Sequence, residues 1–139
     1  MREHYYLKIV QNTVKLLIED FREDVVKMEW REITTIEEWD AILEKSTEKD
    51  QVILKHSTTC PVSFNALDEY NDYLEQEPNE STEYTLVKVR ESRPVSNKIE
   101  ADLNVKHESP QIICIKNKES YWSATHWAVT KAHMIAVLD

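Results

Sequence analysis

Cys60 is the residue with the most chemistry to offer. It stands in Lys55-His-Ser-Thr-Thr-Cys-Pro-Val-Ser63, where an apolar β-like run ends and a proline suited to a first helical turn follows. A thiol at such a junction meets unpaired amide hydrogens and the positive end of the helix dipole, and both stabilise a thiolate. A lowered pKa makes a cysteine nucleophilic at neutral pH; elsewhere in a chain a lone cysteine behaves as a small buried hydrophobe. One turn further on, where a dithiol exchanger keeps its second cysteine, stands Ser63. A hydroxyl can hydrogen-bond a thiolate but cannot close an internal disulfide. Exchange at Cys60 therefore has to run through a mixed disulfide that an external thiol resolves.

Three other places could contribute. The Ser109-Pro110 bond precedes a strand-like run and is a candidate cis peptide, which would turn the Ser109 backbone toward an extended thiol substrate; an ordinary trans turn is the alternative. Thr125-His126-Trp127 lies between the last strand-like run and the last helix. There, helix-start amides and side-chain donors could meet a carboxylated thiol, or Trp127 could be core and His126 a turn cap. His56 and His107, isolated from other ligating residues, read as structural or solvent-facing. Cys114 sits inside Gln111-Ile-Ile-Cys-Ile115, four residues past Pro110, or about 13 Å along a strand. If that proline lies against Cys60, Cys114 is too far to bridge it, because bridged Cα atoms approach within roughly 7 Å. It reads as a core residue.

The elements that must hold these residues follow from the patterning. Glu29 to Ile33 reads as a short strand. A helix follows, capped by Thr34 or Thr35, since Thr34-x-x-Glu37 and Thr35-x-x-Glu38 both fit a capping box, with Ile36, Trp39 and Leu43 inward. Gln51 to His56 is a strand. The helix from Pro61 lays Val62, Ala66, Tyr70 and Tyr73/Leu74 inward. Glu83 to Arg90 is β-like, and Pro94 opens a helix that stops at Asn104, suited to a left-handed position. Gln111–Ile115 has the near-continuous apolar character of a buried strand. The Asn117-Lys118 turn makes a hairpin with Glu119 to Ala124. Trp127 to Leu138 is expected as the last helix, with Trp127, Lys131, Met134 and Leu138 along one side. The order β-α-β-α-β-α-β-β-α is that of an α/β layered domain with helices on both faces of a mixed sheet. Residues 1–27 read as a separate N-terminal helical extension on the apolar stripe Val10, Val14, Leu17, Phe21 and Val25, with 28–139 as the domain. Met28 could also be the functional start.

Composition narrows the classes. The 139 residues suit one domain, and no run is long and apolar enough for a membrane span. Met1 to Val10 lack the pattern of a secretory signal, so the expected compartment is the cytoplasm. With 26 acidic against 17 basic side chains, net −9, there is no basic face for nucleic acid or an anionic membrane. Two cysteines without a C-x-x-C pair speak against a disulfide scaffold, and no ligand spacing among the five histidines points to a metal. Glycine is absent, where average usage would give about ten residues. Gly-rich phosphate loops are thereby excluded, and positive-φ positions fall to residues such as Asn104 and Asn117.

With these residues in place, the chain resembles the monothiol bacilliredoxins, the YtxJ-like thioredoxin-fold proteins of bacillithiol-using bacteria. The resemblance rests on Lys55–Ser63 together with Val89-Arg-Glu-Ser-Arg-Pro-Val-Ser-Asn97, Val105-Lys-His-Glu-Ser-Pro-Gln111 and Ser123-Ala-Thr-His-Trp127, in that order. It implies a thioredoxin-like fold, a mixed four- to five-stranded sheet flanked by helices, with Pro110 cis and the N-terminal helix as an addition. It further implies a monothiol oxidoreductase in which Cys60 is catalytic and takes bacillithiol from client proteins. Thr59, Pro61, Ser63, Ser109, Pro110, Thr125, His126 and Trp127 would surround the thiol. No cofactor would be bound; bacillithiol would be the co-substrate, and bacillithiolated proteins and a low-molecular-weight thiol the partners. Glutathione-binding glutaredoxins usually carry a Gly-Gly turn near the last helix, and the other bacilliredoxin type a C-G-C site; this chain has neither. The alternatives are a thioredoxin-like adaptor or redox-sensor module without turnover, and a thiol-transferase with no bacillithiol preference.

Overall fold

The computed structural model describes residues 26–139. The apolar stripe of the expected N-terminal helix lies outside the described residues, and Val26 and Lys27 are not helical. Five strands form one sheet in the order β1-β3-β2-β4-β5. They are β1 (Arg31–Glu32), β2 (Gln51–His56), β3 (Glu83–Lys88), β4 (Gln111–Lys116) and β5 (Glu119–Thr125). β1, β3 and β2 run parallel, joined by helical crossovers, while β4 runs antiparallel to both β2 and β5. The helices are α1 (Ile36–Lys45), α2 (Pro61–Gln76), α3 (Arg93–Leu103) and α4 (Lys131–Leu138), with a 3-10 turn at His126–Ala128.

The central strands are buried on both faces, so alternate residues feed two cores. Val52, Leu54, Ile112 and Cys114 face Ala66, Tyr70 and Leu74 of α2 and Met134 and Leu138 of α4. Ile53, Ile113 and Ile115 face Trp39 and Ile42 of α1 and Val95 and Ile99 of α3. Lys55 belongs to this second face by its parity on β2.

Local rules set the helix ends. Of the two possible capping boxes the chain uses Thr35: its hydroxyl accepts from the Glu38 N–H at 3.1 Å, and Glu38 accepts from the Thr34 N–H at 3.2 Å. Asn104 ends α3 at φ 54°, and Asn117 takes φ 51°, the two positions expected to stand in for glycine. Lys118 and His126 also adopt positive φ, 64° and 54°. The last helix differs from expectation. Its first turn is a separate 3-10 segment, Val129 and Thr130 interrupt the helix, and Thr130 caps α4 by accepting from the His133 N–H at 3.1 Å. Trp127 is thereby thrown outward and left 67% exposed, rather than lying along the buried side with Met134.

Candidate active site

Cys60 is the N-cap of α2, with extended backbone (φ −110°, ψ 120°) and Pro61 behind it at N1. Its carbonyl accepts from the Ser63 N–H at 3.0 Å and the Phe64 N–H at 3.3 Å, which closes the first turn. The backbone N–H of Ser63 acts first on the sulfur, with further help from the Val62 N–H and the Ser63 hydroxyl. Together they outweigh partial desolvation and hold the thiol pKa below its ordinary value. The Ser63 hydroxyl is well placed for this. It accepts from the Ser57 N–H at 3.2 Å, so its own proton is left to point toward the sulfur.

The approach to Cys60 is ordered by side chains of the loop. Thr59 is exposed, and its Oγ1 lies 3.3 Å from Ser57 Oγ and accepts from Arg90 at 3.2 Å. Thr58 donates to Glu91 at 3.0 Å. Pro61 is exposed beside the thiol, whereas Ser63 is fully buried and has no surface to offer an incoming ligand. His56 ends β2 under this turn. It is buried, packs edge-on against Phe64 with centroids 5.3 Å apart, and its Nδ1 has no partner among the described residues.

The Ser109–Pro110 peptide is cis. Pro110 is buried, and the Ser109 hydroxyl oxygen is buried without a partner among the described residues. The Pro110 carbonyl accepts from the His126 N–H at 3.0 Å, a contact that the left-handed backbone at His126 permits. This bond brings the proline segment and the Thr125–Trp127 corner together, and the 3-10 turn packs against α2. It also occupies one of the helix-start amides expected to meet a carboxylate. Thr125 is half-buried, while His126 and Trp127 are exposed. Cys114, by contrast, lies mid-sheet between Val52 and Trp122, fully buried, and burial pushes its thiol up to about 12. Both cysteines are free.

Sequence reasoning passed over Lys55. Its side chain is fully buried, its Nζ donates to the Ser96 carbonyl at 3.2 Å, and it meets His107 Nδ1 at 3.1 Å. Burial lowers its pKa to about 8 against the opposing pull of Glu100. The signal was a lone charge inside the apolar run Gln51–His56. Arg90 was missed too; its contact with Thr59 connects it to the site.

Comparison with known proteins gives the family and the fold. Residues 31–134 match the family model described as monothiol bacilliredoxin BrxC. A solved structure of a candidate oxidoreductase with a thioredoxin fold is 30% identical, with a TM-score of 0.67 over 76% of this chain and 90% of that one. A thioredoxin from Malassezia sympodialis superposes with a TM-score of 0.66 at 12% identity, covering 82% of this chain and 92% of that chain. Oxidised thioredoxin from Plasmodium falciparum gives 0.61 at 15% identity, covering 79% and 95%. The last two establish a shared fold alone.

Proposed function

Because the chain belongs to the monothiol bacilliredoxin family, we propose that it removes bacillithiol from protein mixed disulfides through Cys60. Its fold and family are those of thiol–disulfide oxidoreductases. The observation that carries the reading is a thiol at the start of α2 with its pKa lowered and the Ser63 hydroxyl where a second thiol would have to be. The Cys60 thiolate attacks the bacillithiol sulfur of the client disulfide. A new sulfur–sulfur bond forms, the old one breaks, and the client leaves as a thiolate that takes up a proton from water. Free bacillithiol, as thiolate, then attacks the Cys60-bound bacillithiol sulfur, giving bacillithiol disulfide and restoring the Cys60 thiolate. No internal step competes, because Ser63 cannot form a disulfide and Cys114 is sealed in the core.

Surroundings support the substrate side of this reading. The proposal seats an extended client along the Ser109–Pro110 segment, with the exposed Thr59, Pro61, His126 and Trp127 and the half-buried Thr125 as its further contacts. Cytoplasmic action is part of the proposal; no helix among the described residues is long and apolar enough to cross a membrane.

The test is intact-mass analysis of the reduced protein mixed with a bacillithiolated client peptide, with Cys60→Ser in parallel. The expected result is one bacillithiol adduct on the wild type and free peptide, with neither from Cys60→Ser, and adduct removal by bacillithiol faster than by glutathione. An unmodified wild-type protein would overturn the proposal. Equal rates with both reductants would reduce it to a general thiol-transferase.

A further inference from the structure

The loop that leads from α3 to β4 ends in Ser109–Pro110. Its outer half is clasped by Gln111, whose Nε2 donates to the Lys106 carbonyl at 3.0 Å and whose Oε1 accepts from the Glu108 N–H at 3.4 Å. The His107 N–H donates to the Glu100 carboxylate. The remaining anchor comes from below. Lys55 is the register partner of Gln111 across β2 and β4, so its side chain lies beside that of Gln111, the residue that follows the proline, on the same face of the sheet. An ammonium has donors only, so the bond to His107 fixes Nδ1 as the acceptor and leaves the ring proton on Nε2. The Ser96 hydroxyl lies 3.3 Å from the same nitrogen.

We propose that the buried Lys55 and the half-buried His107 form a latch that holds the Ser109–Pro110 segment beside the end of β2, the strand that leads to Cys60, and that both are positioning residues for capture of the mixed-disulfide client. The proposal rests on the exchange reaction proposed above and names the residues that set its binding geometry. A methionine at position 55 would fill similar space without the cost of burying an ammonium, so what the lysine adds is its donors. Those donors reach α3 through Ser96 and the loop through His107, from a strand that leads in five residues to the nucleophile. The charged groups acting on the pair are Glu100 and Arg93 of α3 and Glu108 of the loop; Glu100 is the one that acts on both. Neither latch residue reaches the exchanging sulfurs. The effect should therefore fall on binding and spare the reactivity of Cys60.

Full-length Lys55→Met, His107→Leu and His107→Asn proteins test this. Asparagine can present an oxygen where Nδ1 stood. For Lys55→Met and His107→Leu, the concentration of bacillithiolated peptide giving half-maximal exchange should rise roughly tenfold. Maximal rate and iodoacetamide alkylation of Cys60 should change less than about twofold, and His107→Asn should recover most of the loss. Unchanged half-saturation would overturn the latch, as would an equal fall in alkylation. If the wild type shows no exchange with the peptide, the proposed function fails, and the latch is judged on hydrogen exchange alone. Amides of residues 107–111 should then lose protection in Lys55→Met while those of β3 keep theirs; equal protection overturns it.

Discussion

Ser63 shows how one side chain can set the chemistry of another without touching substrate. Its oxygen accepts from the Ser57 N–H, which ties the Cys60 loop to α2, and its proton is free for the sulfur. Ser63→Ala removes both. The thiolate loses a donor, so the Cys60 pKa rises and the alkylation–pH profile moves to higher pH, with a severalfold lower iodoacetamide rate near pH 6. The Ser57 N–H is left buried without its acceptor, which should cost about 1 kcal/mol in urea unfolding. A stability loss without a shift in the alkylation profile would show that Ser63 serves only the loop. Cys60 and Ser63 were legible in the sequence because their relation is local, three residues apart on one helical turn. Lys55 was not, because its burial depends on the β2–β4 register and on a loop ending more than fifty residues later. His107, which as a lone histidine reads as structural or solvent-facing, is half-buried with its Nδ1 3.1 Å from Lys55 Nζ.

At the level of elements, a chain without glycine must turn corners with residues that resist the conformation. The β4–β5 hairpin does so twice in succession, at Asn117 and Lys118. Both central residues at positive φ match the right-handed twist of the strands, and asparagine tolerates the position better than lysine. The Lys118 N–H donates to Ser46 Oγ at 2.9 Å and the Asn117 N–H to the Ser46 carbonyl at 2.9 Å, so the strained turn is pinned to the end of α1. Lys118→Gly keeps those backbone bonds and removes the Cβ penalty. It loses only the ion pair with Glu44, both partners of which are well exposed. The variant should gain about 0.5–1 kcal/mol and raise Tm by a few degrees in calorimetry; a lower Tm would mean the turn is not strained at Lys118. The hairpin itself was readable from Asn-Lys between apolar runs. The break in the last helix was not, because Trp127, Lys131, Met134 and Leu138 keep helical spacing straight through it. The missed signal was Thr130, a good N-cap preceded by β-branched Val129.

Over the whole molecule, the alternation of elements revealed the layers, but the strand order β1-β3-β2-β4-β5, the bond that joins Pro110 to His126 and the packing of the 3-10 turn on α2 come only from the folded chain. That assembly buries His56 and half-buries His107. Burial is the main cause that lowers the pKa of both His56 and His107; Lys88 adds to it at His56, and the Lys55 ammonium adds to it at His107. A group whose folded-state pKa lies below its unfolded value contributes fully above the unfolded value, about 6.5 for histidine, and loses that contribution as pH falls through the folded value. The carboxylates held low in the fold follow the same sign in a more acidic window. At Glu83 the bonds from Lys45 and Gln51 overcome burial, and at Asp102 the Lys98 bond dominates. Their contributions are lost only below the ordinary carboxylate range. Acid should therefore lower the stability of the protein in two stages. The urea midpoint is expected to fall already between pH 7 and pH 5.5, and again below about pH 4. His56→Phe and His107→Asn together should flatten the first stage and leave the second in place. A wild-type midpoint level down to pH 5 would mean that both imidazoles accept protons in the fold as freely as in the unfolded chain, contrary to their burial.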